Sequence, residues 1–261
     1  MGRCKRWLLK EIDSYLPKNK FKQYHEPFIG GGAIFFHLGI KNAYISDLNC
    51  ELIDTYLSIQ QEVESVIYHL KRFKNTKEDY YKIRSESYKS TAKKAARFIY
   101  LNQTSFNGIF RVNLAGKYNV PYGYRENYKF NYDNLLKVSY SLQDTHIVSQ
   151  DFANIISNVK KDDLVFLDPP YTVTHNNNNG FIQYNKKIFS IDEQYRLAKT
   201  IKEIKELGAY YILTNAAHPT IKEIFNNGDK IIEVERSSLI GGKNAKRGKY
   251  GELIITNGLD K

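Results

Sequence analysis

The 261-residue chain carries a formal net charge of +11 and a pI near 9.3, so it has room for one large domain or a domain with a sizeable insertion, and its charge points to a polyanionic partner, nucleic acid first. Composition excludes a membrane span and a disulfide framework: no apolar stretch approaches the required length, and Cys4 and Cys50 are the two cysteines. The start Met1-Gly2-Arg3-Cys4-Lys5 reads as a chain without a secretory signal, with reduced thiols in a cytoplasm, and the six histidines lack metal-ligand spacing, so no metal site is expected.

Arg3 to Ile12 reads as the start of an amphipathic helix with Leu8, Leu9 and Ile12 inward. Tyr24 to Phe28 reads as a short strand running into Ile29-Gly30-Gly31-Gly32, with a helix beginning at Ala33. Strand, glycine turn and helix together let a backbone approach a nucleotide-like ligand closely. The turn lacks the third glycine of the dinucleotide fingerprint and by itself could be only a tight turn. Ala43 to Ser46 is a second strand, with Asp47 at its end. An acidic residue about twenty positions after such a turn commonly takes ribose hydroxyls. Asp47 or Asn49 could instead cap the helix Glu51 to Val63, and the two roles are compatible.

From Thr55 to Asp144 the alternating pattern is interrupted. The stretch is helical, basic and Tyr-rich to Leu101, then a loop-like run to Gly123 in which two β-prone pieces flank Leu114-Ala115-Gly116, as in a hairpin. An excursion of this length between sheet strands reads as an inserted recognition domain. The 21 tyrosines of the chain offer stacking faces and hydroxyl donors for nucleic acid, although Lys, Tyr and Asn abundance also follows from an AT-rich genome.

The α/β pattern resumes with a strand from Thr145 to Ser149 that ends near Asp151-Phe152. The apolar run Leu164-Val165-Phe166-Leu167, bounded by Asp-Asp and Pro-Pro, has the form of a buried parallel strand. Its prolines forbid continuation and present Asp168-Pro169-Pro170-Tyr171 at the carboxyl end, where open α/β sheets bind ligands. A strand ending in an Asp-Pro turn without chemistry is the plain alternative. Thr174 to Gly180 forms either a loop over the site or an ordinary connection. A helix from Asp192 to Leu207, a strand from Ala209 to Thr214, and a final pair, Ile231 to Glu235 and Glu252 to Thr256, complete the pattern. The basic loop Gly241 to Lys249 between that pair lacks P-loop spacing.

The order glycine turn, Asp47, Asp151 and Asp168-Pro169-Pro170-Tyr171 resembles the DNA adenine-N6 methyltransferases of the Dam family. The resemblance covers nearly the whole chain. It includes Lys5 with Leu8-Leu9, Glu26 to Gly32, Ser46-Asp47-Leu48-Asn49, Phe106 to Gly123, Phe189-Ser190 with Gln194, Thr214-Asn215 and Glu252-Leu253. Met1-Gly2-Arg3-Cys4 stands where family members usually carry Lys-Trp and two small residues. The resemblance implies a Rossmann-like class I methyltransferase sheet, with residues 1–54 and 145–261 catalytic and 55–144 a target-recognition insertion. It implies S-adenosylmethionine as methyl donor, contacted by Lys5, Phe28, Gly30, Gly32, Asp47, Asp151, Phe152 and Asp168, and no metal. Asp168 and the Pro169 carbonyl would accept the hydrogens of an adenine amino group. Tyr171, after Pro170, would stack on the flipped base.

The implied partner is double-stranded DNA, read in the major groove by Arg111 with Ile109 and Pro121 as apolar contacts. Phe106, Asn107, Asn119 and Arg125 complete the DNA-contacting set, and the matching positions point to GATC. Arg111 as a plain phosphate clamp is the competing role. A cognate restriction endonuclease encoded nearby, a monomer or weak dimer, and a cytoplasmic or phage-encoded setting are further expectations. Two rival functions remain at this level: methylation of RNA adenine or of cytosine N4, the latter disfavoured by Asp168 where such enzymes usually carry Ser, and a DNA-binding regulator on a decayed methyltransferase fold.

Overall fold

The computed structural model describes residues 8–113, 115–124, 127–171, 189–237 and 249–259. Its strands are β1 (Tyr24–Glu26), β2 (Tyr44–Asp47), β3 (His146–Ser149), β4 (Leu164–Leu167), β5 (Tyr210–Ala216), β6 (Lys230–Ser237) and β7 (Lys249–Thr256). They form a seven-stranded sheet in the order β3-β2-β1-β4-β5-β7-β6. Two compact units divide the chain: Met1–Lys10 with Ile29–Gln150, and Glu11–Phe28 with Asp151–Lys261.

In the second unit, β4 is buried along its whole length, as is β5. That is what a run of apolar residues covered on both faces requires. β4 pairs in parallel with β1 (Tyr24 opposite Leu164) and with β5 (Leu167 opposite Leu213). β7 turns antiparallel onto β5 and carries β6 at the edge. Val165, Leu167, Tyr211 and Leu213 pack against Leu197, Ile201 and Ile204, which line one side of a helix over Ile191–Glu206. Ser190 caps that helix by accepting from the Glu193 N–H, and Asp192 and Glu193 in its first turn complement the helix dipole.

In the first unit, β2 and β3 pair in parallel from Tyr44 opposite His146 to Asp47 opposite Ser149. The helices α1 (Ala33–Leu38), α2 (Cys50–Leu70), α3 (Lys77–Ser85), α4 (Thr91–Thr104) and α5 (Tyr132–Leu142) belong here. The Ile191–Glu206 helix becomes α6, and Pro219–Ile224 is α7. α2 runs past the expected end at Val63 and departs from helical geometry at Glu62. A core of Val66, Leu70, Ile83, Tyr80, Tyr100 and Leu101 extends to Tyr118, Val120 and Tyr122 on the loop after α4.

Tyrosine is the residue that fastens this loop. The Tyr80 hydroxyl and Arg84 Nη1 both donate to the Val120 carbonyl, at 2.8 and 3.0 Å. Tyr118 donates to the Ile109 carbonyl at 2.9 Å. Tyr122 donates to the Asn75 carbonyl at 3.2 Å. Burial pushes the phenols of Tyr80 and Tyr118 up from their ordinary value, so at neutral pH they stay protonated and remain donors.

Two local expectations are corrected. Residues 8–15 form two short 3-10 turns, Leu8–Lys10 and Ile12–Tyr15, with Leu8 and Ile12 buried and Leu9 partly so. The run cannot lengthen because Leu16, held extended at φ −66° and ψ 150°, precedes Pro17. The hairpin after α4 keeps its turn but reduces its ladder to two isolated antiparallel bridges, Ser105 with Tyr122 and Val112 with Tyr118. Asn107 and Gly108 sit in the left-handed region and Pro121 has no N–H to give, so a continuous ladder is impossible. α5, begun by Asn131 accepting from the Asn134 N–H, and α7 are elements that were not expected. The loops read at 174–180 and 241–248 lie outside the described residues.

Gly123 closes the loop by donating its N–H to the Thr104 carbonyl at 2.8 Å. A Cβ there would lie 2.5 Å from the Ser105 carbonyl oxygen. Gly123→Ala should therefore destabilise the protein by about 1–3 kcal/mol, the usual cost of overpacking. Chemical denaturation followed by circular dichroism checks this, and an unchanged midpoint would mean that the two backbones have room to separate.

Candidate active site

β4 ends at Asp168 because Pro169 and Pro170 cannot continue it. The Asp168 side chain is half-buried and the Pro169 ring buried. Thr214 Oγ1 donates to Asp168 Oδ1 at 2.7 Å. Thr214 follows Leu213, the residue paired with Leu167, so the strand register itself brings hydroxyl and carboxylate together. One residue on, Asn215 Nδ2 donates to Gln194 Oε1 at 2.9 Å, with both side chains fully buried. The Tyr171 hydroxyl donates to Glu252 Oε2 on β7 at 2.9 Å.

β1 and β4 are parallel neighbours around which the strand order reverses, the place where ligands enter open α/β sheets. Phe28 follows β1. Its ring stacks on Phe152, centroids 5.3 Å apart, and meets Phe189 edge-on at 5.7 Å. The Arg196 guanidinium lies over the Phe152 ring at 4.3 Å. Asp151, immediately before Phe152, accepts the Ala153 N–H at 2.9 Å and pairs with Arg196. Burial works to raise the Asp151 pKa, but the Arg196 and Ala153 hydrogen bonds outweigh it and hold the carboxyl below its ordinary value.

In the first unit the glycine turn wraps the end of β2. Gly30 and Gly32 both have positive φ, and a Cβ on Gly32 would lie 2.6 Å from the Phe36 ring. Ile29 donates its N–H to the Ser46 carbonyl at 3.0 Å. The two Asp47 carboxylate oxygens accept the N–H groups of Gly30 at 3.1 Å and Asn49 at 3.0 Å. Tyr56 donates to the Gly30 carbonyl at 3.0 Å. Of the two possible caps it is Asn49 that starts α2, accepting from the Leu52 N–H, while Asp47 ties the turn to the strand. Burial pushes the Asp47 carboxyl up, and its backbone hydrogen bonds offset only part of the rise.

The loop after α4 presents a different surface. Phe106 is 53% exposed, and Asn107, Arg111 and Pro121 are exposed beside a half-buried Ile109. Arg111 Nε donates to Asn119 Oδ1 at 2.9 Å. The Phe106 N–H donates to the Pro121 carbonyl at 2.9 Å, so opposite sides of the loop are tied. Lys5 and Arg125 lie outside the described residues.

The sequence reading assigned no role to three groups that the geometry makes prominent: Thr214, Glu252 and Arg196. Each acts on a residue 45 or more positions away, and no local pattern signals such a pairing. Among the described residues no group of His, Cys, Asp and Glu is arranged to hold a metal ion, and no helix is long and apolar enough to cross a membrane.

Comparison with known proteins places the chain in a family. The model of the D12 class N6 adenine-specific DNA methyltransferases matches residues 4–240. The chain is 34% identical over 264 residues to the Type II methyltransferase M1.LlaDCHI of Lactococcus lactis subsp. cremoris, covering 97% of this chain and 92% of the relative. It is 35% identical over 275 residues to the Type II methyltransferase M.MjaIII of Methanocaldococcus jannaschii, covering 96% and 94%. With the DNA adenine methylase of Escherichia coli (strain K12) it shares 26% identity over 254 residues, 95% of this chain and 90% of the other. The chain belongs to the D12 class of N6-adenine-specific DNA methyltransferases.

Proposed function

We propose that this enzyme takes its methyl group from S-adenosylmethionine and delivers it to N6 of an adenine in duplex DNA, within GATC or a related site. The observation that carries the reading is the Asp168 carboxylate at the end of β4, held by Thr214 beside a half-buried Tyr171. An adenine amino group is a poor nucleophile because its lone pair is delocalised into the ring. Asp168 and the Pro169 carbonyl accept its two hydrogens, which favours a pyramidal nitrogen with a localised lone pair. Tyr171 gives the base, once out of the stack, an aromatic face. Much of the rate then comes from holding the groups in line, which can supply roughly 7–11 kcal/mol.

S-adenosylmethionine would supply an electrophilic methyl group on a sulfonium: as N6 bonds to that carbon the C–S bond breaks, S-adenosylhomocysteine leaves as a neutral thioether and N6 loses one proton to solvent; the residues present fit this donor. The glycine turn brings bare backbone close to Asp47, an acceptor for hydroxyls. Phe28 and Phe152 offer apolar faces to a purine, with Asp151 adjoining them as a polar acceptor. Gly30, Gly32 and Asp168 complete the contacts, together with Lys5 by its position in the family pattern. In this reading residues 1–54 and 145–261 carry catalysis, and residues 55–144 recognise the target.

Recognition falls to the tied loop. Asn119 holds Arg111 through Nε and leaves the Nη edge to reach a guanine. Ile109 and Pro121 meet neighbouring bases, Phe106 and Asn107 support the opened duplex, and Arg125 extends the set. Basic side chains of the same unit, Lys71, Arg72, Lys74 and Lys77 among them, suit the phosphate backbone. The Type II names of two relatives favour a cognate restriction endonuclease encoded nearby. A cytoplasmic or phage-encoded setting accords with relatives from bacteria and a phage, and the chain would act there as a monomer or weak dimer.

Asp168→Ala should abolish transfer of labelled methyl groups to adenine-containing duplex while duplex binding falls much less. Wild-type turnover in that variant would remove Asp168 from the chemistry.

Arg111→Ala separates base reading from phosphate clamping. A guanine contact predicts a loss of about 1–3 kcal/mol on the preferred site and a smaller loss on scrambled duplex. Salt titrations on both duplexes check it. Equal losses, with the salt slope reduced by about one contact, would identify a clamp.

A further inference from the structure

Glu252 is 2% exposed and sits on β7 opposite Ala216 of β5. A carboxylate at that depth is costly unless it is hydrogen-bonded. One of its oxygens takes the Tyr171 hydroxyl at 2.9 Å. Tyr171 follows two prolines whose rings fix the backbone, so its ring is held at the main chain and again at its far end. The partner of Asp168 comes from the same frame: Thr214 lies on β5, and Thr214 opposes Ile254 while Ala216 opposes Glu252.

We infer that Glu252 is a positioning residue that sets the tilt of the Tyr171 ring, so that the stacking face and the Asp168 acceptor address one base at a fixed angle. The inference rests on the stacking role proposed above for Tyr171. No part of it requires Glu252 to touch substrate. What it contributes is orientation, and its effect belongs in turnover rather than in affinity.

A double-mutant cycle on the full chain tests this, with labelled S-adenosylmethionine and unmethylated bacterial genomic DNA. Tyr171→Phe keeps the ring and removes the donor; Glu252→Leu removes the acceptor. Each should lower kcat about tenfold, within the range expected for a misplaced reacting group, with little change in KM for DNA. The double variant should lose about the same tenfold, since both changes delete one interaction. Glu252→Gln, whose amide oxygen still accepts, should lose less than Glu252→Leu. Should Glu252→Leu fail to fold, Tyr171→Phe and Glu252→Gln still decide. Wild-type kcat in Tyr171→Phe, or losses that multiply in the double variant, would overturn the positioning role. Tyr171→Ala distinguishes the two levels: if it alone loses kcat, stacking stands and Glu252 does not position it; if it too keeps wild-type kcat, the stacking role itself fails.

Discussion

The hydrogen bond from Thr214 Oγ1 to Asp168 Oδ1 joins a side chain within one buried strand to a carboxylate just past the end of its neighbour. Its geometry follows from strand register, since Leu167 opposes Leu213 and the next residue on each strand carries the polar group. A slip of either strand by one residue against the other would turn that strand's group to the opposite face and part the pair. The apolar packing of β4 and β5 against α6 therefore does more than hold the unit together. In the proposed reaction it fixes the angle at which Asp168 would meet the adenine amino group.

The first unit solves a different problem. A loop that reads DNA, the role proposed for the one after α4, must expose polar and aromatic groups, yet a loop of that length loses much entropy on ordering. Here the outward residues Phe106, Asn107, Arg111 and Pro121 alternate with inward anchors. Tyr118, Val120 and Tyr122 enter the helical core, and tyrosine hydroxyls satisfy the loop carbonyls that a ladder would otherwise pair. Six tyrosines, Tyr24, Tyr56, Tyr80, Tyr100, Tyr122 and Tyr211, are among the largest fully buried side chains. Much of the tyrosine content that composition alone would assign to nucleic-acid contact thus serves the interior.

What was legible in the chain was what is encoded locally. Leu164 to Leu167 emerges as a strand with those bounds because four apolar residues between an acidic pair and two prolines leave few alternatives. The glycine turn, the helix at Ala33 and the strand before Asp47 are local in the same way. The N-terminal turns were misread because the apolar spacing of Leu8, Leu9 and Ile12 is helical while Leu16-Pro17 cuts the run short. α5 is encoded locally as well, with Asn131 as its cap and Tyr132, Leu135, Val138 and Leu142 at helical spacing, but it lies past the loop-like run ending at Gly123, where no element was expected. The pairings of Asp168 with Thr214, Tyr171 with Glu252 and Asp151 with Arg196 are set by the sheet and by α6, and a residue pattern read along the chain does not contain them.

The central claim is that Asp168-Pro169-Pro170-Tyr171 on this sheet directs methylation to adenine N6 in DNA. Sequencing able to detect N6-methyladenine, applied to DNA from a methylation-deficient bacterial host expressing the protein, tests it most directly. N6-methyladenine is expected at one short motif, GATC or a close variant, throughout that DNA and none in the host carrying the empty vector. DNA without N6-methyladenine, or with the new methyl groups on cytosine, would contradict it.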